Sequence, residues 1–311
     1  MLASAVALLG LALITVPRFG REPVPSPSLP SVEASSFPAS SVEPASIPPS
    51  SVVPAAEVLL AVGDIASCDS THDEEVAALA AQLPGTIALL GDIAYPDGSA
   101  SDFASCFDPA WGPLLARIRP DPGNHDYQTT DATGYFAEFG AAAATSGEGW
   151  YSYELGAWHV IALNSNCVFV AGCDAGSPQL AWLEADLAAH PSTCTLAYWH
   201  HARFSSGRHG DDALTDSLWQ ALAAAGADLV LAGHDHDYER IAPIDGVRSF
   251  VVGTGGRSLY EFVHPVASPT ELRANDSYGL LMLTLRDAAF DWRFVPAAGS
   301  SLVDAGTAAC H

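Results

Sequence analysis

Residues 228–240 read "DLVLAGHDHDYER", in which an apolar run of strand length passes directly into alternating histidines and aspartates. In an extended backbone, side chains two positions apart point the same way, so His234 and His236 share one direction and Asp235 and Asp237 the other. A polar turn after a strand explains this octet equally well. The choice between a turn and a ligand site depends on whether other strand ends offer matching donors.

Apolar runs of strand length recur along the chain, and the early ones alternate with helical patterns. The runs span 57–63, 86–91, 158–165, 195–200, 228–234, 249–256, 278–285 and 289–295. The helical patterns span 73–83, 178–190 and 214–226. This order predicts an α/β fold with a largely parallel sheet and antiparallel strands towards the end, which gives it some α+β character. In open α/β sheets, functional sites gather at the carboxyl ends of strands.

Polar side chains cluster at five predicted strand ends. The blocks GDIA, GDIAYPDG, GNHDY, WHHARFSSGRH and GHDHD supply the candidate residues Asp64, Asp92, Tyr95, Asn124, His125, Asp126, His200, His201, His209, His234 and His236. A glycine stands before the leading donor of four blocks, where it permits a sharp turn. One such turn means little, but five donor-bearing strand ends are hard to explain as turns. Carboxylate, amide and imidazole suit borderline or hard metals, and a phenolate favours ferric iron. The donor set is large enough for two metals.

The chain is strongly acidic. Its formal net charge is −24, and all 12 basic residues are arginines. Such a surface repels nucleic acids and anionic membranes, so neither is predicted as a partner. An anionic substrate has to be attracted locally, against this background.

The first 56 residues differ in composition from the rest. Residues 2–16 form an uncharged apolar stretch of signal-peptide length without the usual positive start, so 1–16 is predicted to be a signal peptide or an uncleaved signal anchor. Residues 17–56 are rich in proline and serine and predict an extended, disordered linker. The remaining 57–311 suffice for one catalytic domain. We therefore expect an exported protein, secreted or held at the cell surface.

Six cysteines, an even number, suit an oxidising compartment. Cys167 and Cys173 bracket a short loop and are the favoured pair. The others are Cys68 and Cys106, each beyond a predicted strand end, and Cys194, which could hold the tail at Cys310. Six cysteines permit many pairings, so the connectivity stays open. Metal binding by thiolates is disfavoured because the sequence has no C-x-x-C spacing.

The ordered blocks from Asp64 to Arg240 resemble the calcineurin-like metallophosphoesterases, and Tyr95, three residues after Asp92, resembles the mark of their purple acid phosphatase branch. "GTGG" at 253–256 is similar to a downstream loop of that family. The resemblance implies a four-layer sandwich of two mixed β-sheets flanked by helices. It implies the short single-domain form, since the leading residues cannot supply the extra amino-terminal β domain of plant-type members.

The resemblance also implies the metal ligands. The family pattern places one metal, Fe(III), on Asp64, Asp92, Tyr95 and His236. It places the second, Fe(II), Zn(II) or Mn(II), on Asp92, Asn124, His200 and His234, with Asp92 bridging. The chain departs from the pattern at Ala66, where glycine is common, and at Ala202, where proline is common. The second departure leaves His201 open as an alternative to His200.

The activity implied is hydrolysis of phosphate monoesters by a metal-bound hydroxide. His125 and His201 would bind phosphate and protonate the leaving alkoxide, and His209 would contact substrate. Asp126 could orient His125 or cap a helix. One alternative is a metal-dependent phosphodiesterase acting on nucleotides or lipid headgroups. Another is a non-catalytic metal-binding surface protein, which predicts missing ligands, and none is missing. A phosphate ester is the expected substrate, and no protein partner is inferred.

Overall fold

The computed structural model describes residues 56–144, 147–266 and 269–311. The predicted leader at 1–16 and the predicted linker at 17–56, apart from Ala56, lie outside the described residues. No helix in the described ranges is both long and apolar enough to span a bilayer.

The first of two large sheets has six strands, in the order β15-β14-β13-β1-β3-β5. These strands are β1 (Glu57–Val62), β3 (Thr86–Leu90), β5 (Ile118–Asp121), β13 (Gly279–Arg286), β14 (Ala289–Pro296) and β15 (Ala305–Ala309). Strands β1, β3 and β5 are parallel, while β13 runs antiparallel to β1 and begins an antiparallel meander. The carboxyl ends of β1, β3 and β5 therefore share one edge.

The second sheet has seven strands, in the order β12-β10-β11-β9-β8-β7-β6. They are β6 (Tyr151–Leu155), β7 (Trp158–Ala162), β8 (Cys194–His201), β9 (Leu229–Gly233), β10 (Tyr238–Ile244), β11 (Val247–Val252) and β12 (Thr270–Ala274). Strands β7, β8, β9 and β11 are parallel, and the outer pairings are antiparallel. A two-stranded ribbon, β2 (Ala66–Ser67) with β4 (Ala94–Tyr95), links the loops that follow β1 and β3.

The helices are short. They are α1 (His72–Gln82), α2 (Ala100–Asp102), α3 (Asp108–Trp111), α4 (Thr133–Phe139), α5 (Pro178–Ala189) and α6 (Asp216–Ala224). A π-turn covers Phe103–Phe107, and 3-10 turns cover Gly112–Arg117, Asp126–Gln128, Thr130–Ala132, Gly140–Ala143 and Ala213–Thr215. Local chemistry sets the start of α5, because the Ser177 side chain accepts from the Leu180 amide at 3.2 Å and Pro178 follows the cap.

Three apolar layers hold the sheets and helices together. The middle layer lies between the sheets and joins side chains of both, such as Leu59 and Leu281 of the first and Leu196 and Leu231 of the second. The second layer packs α1 and the 103–143 segment on the outer face of the first sheet. A third packs α5 and α6 on the outer face of the second. The predicted four-layer sandwich of two mixed sheets flanked by helices is confirmed.

The structure differs from the sequence pattern in its share of antiparallel pairing. Parallel and antiparallel pairings are equally common among the described strands, whereas the pattern predicted a largely parallel sheet. Strands such as β5, with the sequence IRPD, carry no apolar run. Strand β5 lies at an edge of its sheet, and an edge strand tolerates the missing amide of Pro120.

Three disulfides form, and one of them is the pair favoured from the sequence. Cys167 bonds to Cys173 and closes the loop before α5. Cys68 bonds to Cys106 and ties the loop after β2 to the π-turn. Cys194 bonds to Cys310 and fastens the end of the chain to the start of β8. None of the cysteines in the described ranges is free.

Candidate metal centre

The loops at the carboxyl ends of strands from both sheets meet at one place. Asp64, Asp92 and Asn124 follow β1, β3 and β5 of the first sheet. His200 lies near the end of β8, and His234 and His236 follow β9 of the second sheet. The chain can therefore build this centre only by docking one sheet on the other.

The glycines before the donors provide space as well as a turn. A Cβ on Gly91 would lie 2.5 Å from Nδ1 of His200, and one on Gly233 would lie 2.8 Å from Oδ2 of Asp64. The positive φ values at Asp64 (60°), Asp92 (51°) and His234 (70°) fall on the donor residues themselves. Since non-glycine residues rarely adopt this conformation, its repetition at three candidate ligands indicates a functional constraint.

Tyr95 lies at the middle of the first donor group. Its Oη is 3.1 Å from Oδ1 of Asp64, 3.1 Å from Oδ2 of Asp92 and 3.2 Å from Nε2 of His236. Nε2 of His236 is in turn 3.2 Å from Oδ1 of Asp64. All four side chains are buried, so four donor atoms converge out of bulk water.

The second donor group shares Asp92 with the first. Nε2 of His200 lies 3.4 Å from Oδ2 of Asp92, and Nδ1 of His234 lies 3.2 Å from Nε2 of His200. The other nitrogen of His200 donates to the carbonyl oxygen of Leu90 at 2.8 Å. This bond fixes the ring so that Nε2 faces the centre, the arrangement expected of a metal-binding histidine.

Asn124 adds an unpaired oxygen to the same region. Its Oδ1 is buried and has no hydrogen-bond partner among the described residues. The next residue, His125, donates its backbone amide to Oδ1 of Asp92 at 2.7 Å, which keeps this loop against the centre. A buried amide oxygen without a partner is costly unless a cation binds it. Together with the oxygen and imidazole donors around Asp92, this orphaned atom shows that the residues present fit a pair of metal ions.

His200 and His201 play different structural parts. His200 is fully buried beside Asp92, whereas His201 is half-buried and its Nδ1 lies 2.8 Å from Oγ of Ser165. The ligand atoms of His200, His201 and His234 nevertheless all lie within 4.8 Å of one another. By distance alone, His201 could therefore be a metal ligand. Its contact with Ser165 favours a role next to the metals and not as a ligand.

His125 and His209 lie at the open side of the centre. Nε2 of His125 is 3.9 Å from Oδ2 of Asp92, its ring packs 4.4 Å from that of Tyr95, and 37% of its side chain is exposed. The exposed His209 ring is 4.2 Å from that of His234. All ten residues predicted as ligands, catalysts or substrate contacts thus come together.

Burial and charge set the protonation of the histidines. Burial lowers the pKa of His200, but the charge of Asp92 outweighs it and raises the pKa to about 10. Burial and the charge of His200 lower the pKa of His201 to about 3 and also lower that of His234. A metal binds only neutral imidazole, so His234 is already in the form that a cation requires.

The acidic groups respond to the same surroundings. Burial raises the pKa of Asp92, but the charge of His200 and its hydrogen bond outweigh this effect, and the pKa falls below the usual range of aspartate. Burial and the nearby carboxylates of Asp92 and Asp64 raise the pKa of the Tyr95 phenol well above 10. Only a strong Lewis acid can hold this phenol as phenolate near neutral pH.

Asp126 and Asp235 accept hydrogen bonds from backbone amides of the loops around the centre. Buried Asp126 accepts from the amides of Gly123 (2.8 Å) and Ile93 (3.3 Å), and so ties together two ligand loops. Among the described residues its side chain makes no hydrogen bond to His125 and does not cap the helical turn that it begins, so neither role considered from the sequence is seen. Asp235 accepts from the His209 amide at 2.6 Å and holds the loop that carries His209. His234 and His236 face the centre and Asp235 faces the His209 loop, but residues 234–237 form a bend and not the extended strand from which their directions were predicted.

Three neighbours of the centre carried no signal in the sequence. The Tyr260 ring stacks on His236 with 3.9 Å between centroids, Oγ of Ser258 lies 2.9 Å from Nδ1 of His236, and Ser165 supports His201. They lie in irregular segments with no motif, and only the folded chain brings them to the site. By contrast, Arg203 and Arg240 pair with Asp216 and Asp304, which gives these arginines a structural role.

Comparison with known proteins agrees with this geometry. A family model described as calcineurin-like phosphoesterase matches residues 58–238, more than half of the chain. The chain belongs to this family. Among curated proteins, it is 24% identical over 219 residues to purple acid phosphatase 15 of Arabidopsis thaliana, covering 58% of this chain and 40% of that protein. It is 29% identical over 151 residues to acid phosphatase type 7 of Homo sapiens, covering 42% of this chain and 34% of that protein.

These relatives support the purple acid phosphatase branch of the calcineurin-like family. The chain matches well under half the length of both proteins. Among solved structures, purple acid phosphatase PPD1 of yellow lupin superposes with a TM-score of 0.72 at 18% identity, over 82% of this chain and 54% of that one. This likeness confirms the fold.

Proposed function

We propose that this calcineurin-like chain is a metal-dependent phosphatase that hydrolyses phosphate monoesters. One observation carries the proposal: two groups of buried oxygen and imidazole donors share Asp92 at the meeting point of the two sheets. The acid phosphatase names of the relatives support the same activity.

We assign the first cation to Asp64, Asp92, Tyr95 and His236, whose donor atoms surround Oη of Tyr95. The second cation belongs to Asp92, Asn124, His200 and His234, with Asp92 bridging the two. Two cations held there would supply Lewis acidity towards phosphoryl oxygens and nucleophilic water at moderate pH.

His125 is suited to protonate the leaving group. Its Nδ1 lies 2.6 Å from the carbonyl oxygen of Pro96, which can only accept, so Nδ1 carries a hydrogen. Nε2 then faces the centre and carries a proton only when the ring is charged, and this proton can pass to the departing alkoxide. The partial exposure of the ring leaves room for a substrate oxygen beside it.

His201 and His209 are suited to bind phosphate. Oγ of Ser165 accepts from the His201 amide at 2.9 Å and lies 2.8 Å from Nδ1 of the same residue. When the serine hydroxyl donates to Nδ1, the hydrogen of the neutral ring is on Nε2, from which it can be donated to a phosphate oxygen. His209 lies at the exposed rim, where it can contact the outer phosphoryl oxygens.

The three disulfides support an exported protein, because such bonds persist in oxidising compartments. With residues 1–16 as a leader or anchor and 17–56 as a linker, residues 57–311 form the catalytic domain in this proposal. An exported enzyme would meet phosphate esters outside the cytoplasm.

A substrate panel with metal analysis tests the activity. We expect purified protein to hold about two metal ions and to hydrolyse p-nitrophenyl phosphate at least about tenfold faster than bis(p-nitrophenyl) phosphate. Removing the metals with a chelator should abolish activity, and adding them back should restore it, because the water nucleophile depends on them. Preferential hydrolysis of the diester would favour a phosphodiesterase instead, and folded protein without bound metal would contradict the proposal.

The colour of the iron-loaded protein tests whether Tyr95 binds Fe(III) at the proposed site. A phenolate bound to Fe(III) gives a charge-transfer colour, so iron-loaded protein should be pink to purple, and Tyr95→Phe should remove the visible band. The phenylalanine ring can keep the packing of Tyr95 against His125, so the melting temperature should change little. Tyr260→Phe is the matched control, because Tyr260 stacks on His236 with its ring and should leave the colour intact. Colourless iron-loaded wild-type protein would contradict the Fe(III) assignment.

A further inference from the structure

Arg257 is a positive charge without an acidic partner in a strongly acidic protein. The chain has 12 basic residues against 36 acidic ones, and arginines such as Arg203, Arg240 and Arg286 pair with carboxylates. No carboxylate of the described residues lies within 4.0 Å of the Arg257 guanidinium. Within the described residues, the guanidinium of Arg257 therefore forms no ion pair, although the protein is strongly acidic.

Arg257 is fixed at the edge of the candidate metal centre. Its backbone amide donates to the carbonyl oxygen of Asp64 at 3.1 Å, and its guanidinium carbon lies 5.1 Å from the centroid of the Tyr95 ring. The residue directly follows the GTGG segment, in which the Gly255 amide donates to the carbonyl oxygen of Gly63 at 2.9 Å. Two backbone bonds thus hold Arg257 beside the loop that carries Asp64.

Tyr95 and Arg257 both line a groove of about 250 Å³. Its lining includes Ser67, Asp69, Asp102, Tyr95, Arg257 and the Cys68–Cys106 disulfide. Asp102 accepts from the amide and hydroxyl of Ser99 and so belongs to the cap of α2, while Asp69 is exposed. Arg257 is the single basic residue among the described residues that line the groove.

We propose that Arg257 binds a second anionic group of the substrate, so that the enzyme prefers phosphate monoesters that also carry a carboxylate or another phosphate. This inference rests on the proposed phosphatase activity. A guanidinium matches both groups through paired hydrogen bonds, and stacking on Tyr95 orients it in advance. The reacting phosphate would lie at the metal centre and the rest of the substrate in the groove. The local positive charge offsets the repulsion that a net charge of −24 exerts on a doubly anionic substrate.

Two matched pairs of substrates test the proposal. The carboxylate pair is 3-phosphoglycerate and glycerol 3-phosphate, and the phosphate pair is fructose 1,6-bisphosphate and fructose 1-phosphate. We expect kcat/KM of the wild type to be about 10–100-fold higher for the doubly anionic member of at least one pair, the scale of a charge-assisted hydrogen-bonding contact. Arg257→Gln should reduce that ratio to about one or below, mainly through a raised KM. The pair that responds identifies the second group.

Arg203→Gln is the matched control, because Arg203 pairs with Asp216 outside the groove and should leave the ratio intact. Should Arg257→Gln fail to fold, Arg257→Lys keeps the charge without the paired donors and should lower the ratio by a smaller factor. A wild-type ratio near one for both pairs, or a ratio that survives in Arg257→Gln, would overturn this inference alone. A wild type that hydrolyses p-nitrophenyl phosphate but none of the four esters would also overturn this inference alone. A wild type that hydrolyses none of the five esters would overturn the proposed function itself.

Discussion

Asp92→Asn is expected to lower kcat/KM for p-nitrophenyl phosphate by about 10³-fold or more and to reduce the metal content from about two ions per chain to one or fewer. Asp92 belongs to both donor groups, with Oδ2 3.1 Å from Oη of Tyr95 and 3.4 Å from Nε2 of His200. An amide cannot bridge two cations as a carboxylate does. Loss of the metals removes several kcal/mol of transition-state stabilisation, which corresponds to this fall in rate.

The substitution should leave the fold intact. Oδ1 of Asp92 accepts the His125 amide at 2.7 Å, and an asparagine oxygen can accept the same bond. Asp121→Asn is the matched control, since burial raises the pKa of Asp121 well above its usual value and so favours the uncharged carboxyl, which an amide resembles in shape. Metal content by mass spectrometry, circular dichroism and steady-state kinetics give the three readouts. Two metals retained at near-normal activity in Asp92→Asn would refute the shared role of Asp92.

His125→Ala is expected to lower activity by about 10²–10⁴-fold on alkyl phosphates while both metals stay bound. The alkyl leaving group needs a proton, and Nε2 of His125 is 3.9 Å from Oδ2 of Asp92 at the open side of the centre. With p-nitrophenyl phosphate, whose leaving group departs without help, the fall should be much smaller. The comparison of the two substrates separates proton donation from general damage to the site.

His264→Ala controls for removal of a histidine, because His264 is exposed and lies outside the centre. Its activity on both substrates should match that of the wild type. If His125→Ala loses a metal, His125 is a ligand and its assignment as proton donor is wrong. An equal fall on both substrates would also argue against proton donation.

The sequence predicted which side chains come together at the candidate centre, because the chemistry restricts each block. Asp64 and Asp92 stand directly after a glycine that follows a buried strand, and a Cβ on the glycine before Asp92 would collide with His200. This close approach requires glycine, so a contact between distant parts of the chain is visible in the local sequence motif. The parallel strands β1, β3, β8 and β9 were predictable for a similar reason, because strands buried on both faces read as continuous apolar runs.

Other features depend on contacts that no local pattern records. The choice between His200 and His201 could not be made from two adjacent histidines, and the contact of Ser165 with His201 exists only after folding. Tyr260 and Arg257 lie in an irregular segment, and their places are set by stacking on His236 and Tyr95. Edge strands such as β5 pair with only one neighbouring strand, so their sequences need fewer apolar residues and are harder to recognise.

The position of β1 has a consequence for how the chain is made. This buried strand pairs with β3, which is translated soon after it, and with β13, which leaves the ribosome only after the entire second sheet. Until then, one edge of an apolar strand is open to pairing with other nascent chains. The first sheet therefore closes last, and a chain released early, before β13, would be prone to aggregate rather than to fold partially.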